Sequence, residues 1–105
     1  MEFLVEFEVN VPAGAPTYEV EGRETAEASA AARLAEEGHL VRLWMLPTAH
    51  GRANAVGLFR AGSTSQLDSL LDALPLADWM HVTVTQLAPH PNDPVGTEAT
   101  AERAP

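Results

Sequence analysis

The sequence predicts an α+β fold in which an antiparallel four-stranded sheet carries two helices on one face. Stretches that alternate apolar and polar residues lie near both ends of the chain and twice in the middle, which is typical of half-buried strands. An alanine-rich stretch and a leucine-rich stretch, each with helical spacing, separate them. The resulting order, strand–helix–strand–strand–helix–strand, is the ferredoxin-like βαββαβ arrangement.

The first strand is predicted over residues 2–11, with one apolar and one mixed face. The mixed face carries Glu6 and Glu8, for which two interpretations stay open: a solvated sheet face, or the wall of a cavity shared with a second chain. Pro12 ends the strand. Residues 12–23 are rich in turn formers and predict a loop with at most a short helical turn.

The first helix is predicted over residues 24–37, and Gly38 supplies its C-terminal stop. On the helical face of Leu34, counting back leads to Glu27, a carboxylate in an otherwise apolar stripe. The alternative is that the neighbouring alanine stripe (positions 28, 32 and 35) is buried, which would leave Glu27 half exposed.

The second strand is predicted over residues 40–46. The pattern indicates a mixed face of Leu40, Arg42, Trp44 and Leu46 and an apolar face that packs on the helices. An arginine beside a tryptophan suits the recognition of an organic carboxylate. An arginine stacked on a tryptophan at a subunit interface explains the pair equally well.

A turn containing His50 leads to a third strand over residues 53–60, where small side chains around Asn54 leave room for a ligand or a partner backbone. Ser63 and Gln66 form a capping box for the second helix, which extends to Leu74 with leucines at core spacing.

The last strand is predicted over residues 81–87 and presents His81 on its polar face. We expect one domain over residues 1–94 and a flexible tail over residues 95–105. The open face of the sheet would expose apolar side chains, which predicts sheet-to-sheet dimerisation into a dimeric α+β barrel with a cavity between the sheets.

Composition excludes several chemistries. The chain has no cysteine and no lysine, so thiolate nucleophiles, cysteine-held metals and lysine Schiff bases are ruled out. A net charge of −9 argues against nucleic acid and anionic membrane surfaces as partners. The four histidines lack ligand spacing, so no metal is expected. With no basic leader and no apolar run of membrane length, we expect a cytoplasmic protein.

What remains is acid–base chemistry in a pocket with apolar walls. Desolvation there would raise the pKa of a glutamate and make it a usable base near neutral pH. Arg42 would hold an anionic group, and Asn54 would stabilise negative charge that develops on an oxygen.

Three segments, LAEEGHLVRLW, GRANAVGLF and LDSLLDALPLADWMHVTVTQLAPHPND, together resemble the muconolactone Δ-isomerase family as far as Asp93. The resemblance implies a ferredoxin-like fold, dimers built into a larger closed assembly such as a decamer, and no cofactor. It also implies an activity: a base-mediated 1,3-proton shift that moves a double bond in a carboxylated unsaturated γ-lactone, in the β-ketoadipate route of aromatic catabolism.

The resemblance implies that Glu27 is the base and places Arg42 and Trp44 on the family's second strand. Asn54 matches a family asparagine if one residue is bulged. Adding the further candidates for substrate contact gives this set: catalytic Glu27, Arg42 and Asn54; substrate-binding Trp44, His50, Glu6, Glu8 and His81.

The chain departs from the family pattern where members carry basic residues, because Glu24, Ala28 and Met45 stand there. Two alternatives therefore stay open. One is a related α+β-barrel enzyme, such as a cyclase, dehydratase or lactone dehalogenase acting on another small substrate. The other is a non-catalytic binding module.

Overall fold

The computed structural model describes residues 1–47 and 54–95. The elements are β1 (Glu2–Val9), α1 (Thr17–Glu36), β2 (Leu40–Leu46), β3 (Asn54–Arg60), α2 (Thr64–Asp72) and β4 (Met80–Leu87), with a short 3-10 helix at Ala77–Trp79. The strands form one antiparallel sheet in the order β2-β3-β1-β4. The predicted ferredoxin-like architecture is confirmed. In the part of the chain that the structure describes, no helix has the length and apolar character needed to cross a membrane.

The hydrophobic core lies between one face of the sheet and both helices. Phe3 and Val5 of β1 and Leu67 of α2 are completely buried there. Phe3 pairs with Phe59 across the β1–β3 register, and Leu34 contributes from α1. The alternation in β1 and the leucine spacing in α2 thus predicted the two sides of this core correctly.

The first helix begins earlier than the sequence indicates. It starts at Thr17, where the amides of Glu19 and Val20 donate to the Pro16 carbonyl. The predicted loop is therefore confirmed for residues 12–16 and wrong for residues 17–23. Gly22 lies within the helix. A glycine there costs only about 1 kcal/mol relative to alanine, which contacts made by this segment with the rest of the fold can outweigh.

The stop at Gly38 is confirmed. Gly38 has a φ of +82°, and its amide donates to the Ala35 carbonyl while the His39 amide donates to the Leu34 carbonyl. This is a Schellman motif, which uses a residue with positive φ to satisfy the last carbonyls of a helix. The turn sends the chain directly into β2.

Strand β2 contains a bulge that changes the predicted faces. Leu40 pairs with Phe59 and Arg42 with the next β3 residue, Leu58, so Val41 is an extra residue between them. Leu40 therefore packs on the core, and the prediction that it shares a face with Arg42 is wrong. Arg42 lies on the open face, because Leu58 pairs with Leu4 of the mixed face of β1.

At the start of α2 the predicted Ser63 cap is confirmed, but the Gln66 side chain binds the amide of Gly62 and not that of Ser63. The Gln66 amide donates to Ser63 Oγ at 3.0 Å, and Gln66 Oε1 accepts from the Gly62 amide at 2.5 Å. This fixes the entry of the chain from β3 into the helix.

Candidate active site

A pocket of about 410 Å³ lies between α1 and the helix-facing side of the sheet. Its lining is almost entirely apolar: Phe7, Val9, Glu27, Ala31, Leu34, Leu40, Leu43, Trp44, Met45, Asn54, Ala55, Phe59, Leu74, Leu76 and Met80. The pocket opens at the sheet edge formed by β2, where Leu43 is 49% and Met45 is 85% exposed. Its size and lining suit a small organic ring.

Glu27 is the only ionisable side chain among the described lining residues. It faces the pocket because it shares a helical stripe with Ala31 and Leu34, whereas the alternative stripe through Ala28 and Ala32 is exposed. The structure thus decides which stripe of α1 faces the pocket, namely that of Glu27, and it leaves the Glu27 side chain half-buried.

The environment of Glu27 suits a general base. Burial raises the pKa of its carboxyl group above the ordinary glutamate value, and a hydrogen bond from the Leu76 amide to Oε1, at 3.0 Å, offsets part of this rise. The desolvated carboxylate is therefore a stronger proton acceptor than an exposed glutamate, while one backbone donor holds it in place.

The segment that supplies the Leu76 amide was missed as a site element in the sequence. Leu74, Leu76 and Trp79 are buried, so the segment is fixed against the core. Arg23 of α1 binds the same segment through the Pro75 carbonyl and the Asp78 carboxylate. The four-residue spacing of Arg23 and Glu27 was a usable signal, but only for a helix known to extend past residue 23.

Asn54, at the first position of β3, also contributes to the pocket lining. Its Oδ1 atom is buried and has no hydrogen-bond partner within the described ranges. An unpaired amide oxygen is costly to bury, and rotation of the amide exchanges its donor and acceptor. Asn54 therefore has free hydrogen-bonding capacity at the pocket, as expected for a group that contacts a ligand oxygen or hydroxyl.

Within one chain, Arg42 and Glu27 do not line a common pocket, and a cavity that both face together with a second copy stays a prediction. Arg42 lies on the open side of the sheet, with its guanidinium carbon 4.9 Å from the centroid of the Trp44 ring. Trp44 contributes to the pocket lining and Arg42 does not. The bulge at Val41 does not alter this, because it moves only Leu40 to the helix side.

Glu6, Glu8 and His81 also lie on the open face, where Glu8 pairs with His81 across β1 and β4. With Asn54 they line a separate pocket of about 100 Å³. They are not among the residues lining the larger pocket, and His50 lies outside the described residues. Across residues 1–47 and 54–95, no group of three side chains is arranged to hold a metal ion.

Fold and pocket together define a class: ferredoxin-like α+β proteins that hold a half-buried carboxylate in a mainly apolar pocket between helix and sheet. Comparison with known proteins narrows this class. Residues 1–93 match the family described as muconolactone delta-isomerase. The chain belongs to the muconolactone delta-isomerase family, whose named members are isomerases.

Two curated relatives are named muconolactone Delta-isomerase. That of Cupriavidus pinatubonensis (strain JMP 134 / LMG 1197) is 33% identical over 92 residues, which are 88% of this chain and 97% of the relative. That of Acinetobacter baylyi (strain ATCC 33305 / BD413 / ADP1) is 26% identical over 92 residues, which are 88% of this chain and 93% of the relative.

Two solved structures agree with this fold. A crystal structure of muconolactone isomerase matches with a TM-score of 0.75 and 29% identity, covering 88% of this chain and 93% of that one. The second structure is the 5-chloro-2-hydroxyhydroquinone dehydrochlorinase of Burkholderia phenoliruptrix AC1100, in complex with 2,5-dihydroxybenzoquinone. It matches with a TM-score of 0.59 and 15% identity, covering 86% of this chain and 96% of that one. At that identity the second likeness shows a shared fold alone.

Proposed function

We propose that this protein is a cofactor-free isomerase that moves a double bond in a carboxylated unsaturated γ-lactone, with muconolactone as its substrate and Glu27 as its base. The observation that carries the proposal is a single carboxylate, half-buried and held by a backbone amide, in a mainly apolar pocket of ring size. Membership of the family supplies the reaction type.

The reaction needs one proton acceptor that later becomes a donor. The Glu27 carboxylate takes the proton from the γ carbon of the lactone, and the C–H electron pair forms the β,γ double bond. The former α,β pair forms a double bond between the α carbon and the carbonyl carbon, and the carbonyl π pair moves onto the oxygen, which gives a dienolate. Protonated Glu27 then returns the proton to the α carbon, so atoms and charge balance and no redox partner is required.

Negative charge on the dienolate oxygen requires a hydrogen-bond donor that is already in place. We assign this role to the Asn54 amide. Its unpaired buried atom is the acceptor Oδ1, and a flip of the amide places the Nδ2 donor at the same position in the pocket. The apolar walls strengthen such a bond because they exclude competing water.

The carboxylate of the substrate also needs a cation, and the described pocket lining of a single chain contains none. We propose that the open face packs against a second copy and that Arg42 serves a site it shares with that copy. Exposed apolar residues on this face support the dimer: Trp44 is 41% and Leu46 is 37% exposed. We further propose that such dimers form a larger closed assembly. We also propose a cytoplasmic location, where a charged lactone is retained.

A second candidate follows from the same missing cation. A neutral enolisable ring would fit the described pocket without any arginine, and an uncharged residue, Met45, lies exposed in the pocket lining. The reaction class would be unchanged, and only the substrate would lack its carboxylate.

The test is to incubate the purified full chain with muconolactone and, separately, with the γ-methyl analogue that lacks the carboxylate, and to follow the loss of the conjugated lactone by ultraviolet absorbance. Turnover of muconolactone with a clear preference over the analogue supports the first proposal. A preference for the analogue favours the second candidate. If neither lactone isomerises, both are wrong.

A further inference from the structure

One peptide group connects Arg23 to Glu27. The Pro75 carbonyl accepts a hydrogen bond from Arg23 Nη1 at 3.1 Å, and the Leu76 amide donates to Glu27 Oε1 at 3.0 Å. The carbonyl of Pro75 and the amide of Leu76 belong to the same planar peptide unit. A guanidinium, a peptide group and a carboxylate therefore form one hydrogen-bonded chain from one turn of α1 to the next.

Arg23 is itself held firmly. Its Nη1 atom lies 2.5 Å from Asp78 Oδ1, its guanidinium carbon lies 4.2 Å from the centroid of the Trp79 ring, and Nη2 lies 3.5 Å from Glu19 Oε1. Trp79 is buried, so one flank of the guanidinium is shielded from solvent.

The chain of bonds affects Glu27 in two ways. Donation to the Pro75 carbonyl polarises the peptide group and makes the Leu76 amide a better donor, because consecutive hydrogen bonds strengthen one another. It also fixes the orientation of the peptide plane, and therefore the direction from which the amide meets the carboxylate. Both effects favour the ionised form of Glu27 and restrict its rotamer.

We propose that Arg23 is a positioning residue for Glu27, acting through the Pro75–Leu76 peptide group. This inference rests on the proposed function only in calling Glu27 the base, since the contacts are independent of any substrate. Arg23 lies outside the pocket lining and does not touch the reacting atoms.

The electrostatic surroundings of Glu27 make the effect measurable. On its own helix the charged residues one turn away are Arg23 and the exposed Glu24. From the docked segment the charged neighbour is Asp78, which is paired with Arg23. All four strands present only uncharged side chains to the pocket within the described ranges. Removal of the guanidinium therefore changes the one cationic influence on Glu27 that the described contacts provide.

The experiment measures the titration of Glu27 directly, by carbon-13 NMR of the chain labelled at glutamate carboxyl carbons, with the Glu27 signal identified by its absence in Glu27→Gln. We expect Arg23→Met to move the titration midpoint of Glu27 to higher pH. Arg23→Lys keeps the charge, but its side chain ends one atom short of Nη1 and lacks the planar fork, so its contact with the Pro75 carbonyl should be weaker. Its titration midpoint should therefore lie between those of the wild type and Arg23→Met. Glu19→Gln, which removes another partner of Arg23, is the matched control and should leave the midpoint unchanged.

Activity supplies the second measurement. With a lactone that the wild type isomerises, the acid limb of kcat/KM should move in Arg23→Met in the same direction as the NMR midpoint, with a severalfold loss of rate on that limb. If the Glu27 midpoint is the same in wild type, Arg23→Lys and Arg23→Met, the positioning role is wrong. Arg23→Lys keeps the test valid if Arg23→Met fails to fold. The NMR titration needs no substrate, so the positioning role of Arg23 can still be tested if the proposed isomerase function is wrong.

Discussion

Gly57 of β3 is the position where one added methyl group should disturb both the core and the pocket. It faces the helices, since it pairs with the fully buried Val5 of β1. A Cβ atom there would lie 2.7 Å from Cε1 of Phe59 and 3.3 Å from Cδ1 of Leu43. The first distance is well inside van der Waals contact, so the Phe59 ring has to move.

The cost of Gly57→Ala follows from how little freedom that ring has. Phe59 is 2% exposed and packs against Phe7, with ring centroids 5.9 Å apart. Overpacking a core of this kind costs about 1–3 kcal/mol. For a domain of this size we therefore expect a Tm lower by about 4 to about 24 °C. Because Phe59 and Leu43 both line the pocket, KM for the substrate should rise as well.

The assay is thermal and urea unfolding followed by circular dichroism at one fixed protein concentration, because assembly would couple stability to concentration. Gly22→Ala is the control: it lies inside α1 with nothing within 4 Å of its added Cβ, so it should stabilise the chain by about 0.5–1 kcal/mol. If Gly57→Ala were as stable as the wild type, the packing of Phe59 described here would be wrong.

Three further predictions concern pH, the helix stop and the open face. Burial raises the pKa of Glu27, so this group lowers the free energy of unfolding as pH rises from the ordinary glutamate pKa through the raised one. At pH 8, Glu27→Gln should therefore unfold at a urea concentration equal to or higher than that of the wild type. A lower urea midpoint for the variant would contradict the burial of the Glu27 carboxylate. Gly38→Ala places a side chain at a φ of +82° and should cost about 1 kcal/mol in urea unfolding, and a neutral result would argue against the Schellman stop. Arg42→Met should raise KM for muconolactone but not for the γ-methyl analogue, and an equal effect on both would remove Arg42 from carboxylate recognition.

The sequence predicted the architecture because each element has a strong local signal. Alternation marks β1, leucine spacing marks α2, and Gly38 marks the end of α1. The start of α1 was missed because Gly22 and the preceding prolines are typical of loops, whereas tertiary contacts of Arg23 help to hold this segment as helix. Helix propensities describe single residues and therefore give no information on such tertiary contacts.

The candidate site was predictable only in part. Glu27 was found because a carboxylate in an apolar stripe is unusual. The positions of Leu40 and Arg42 depend on the bulge at Val41, which alternation alone does not reveal. The Leu76 amide could not be found from sequence, since a backbone donor has no residue signature.

The central claim is that the Glu27 carboxylate transfers the proton, and its most direct test is kcat of Glu27→Gln with muconolactone. Glutamine matches the shape and can still accept the Leu76 hydrogen bond, so fold and KM should be retained. We predict a loss of kcat of about 10²- to 10⁴-fold, as for removal of a general base. Glu24→Gln, an exposed neighbour on the same helix, should retain wild-type kcat. A Glu27→Gln variant with kcat within threefold of wild type would contradict the account.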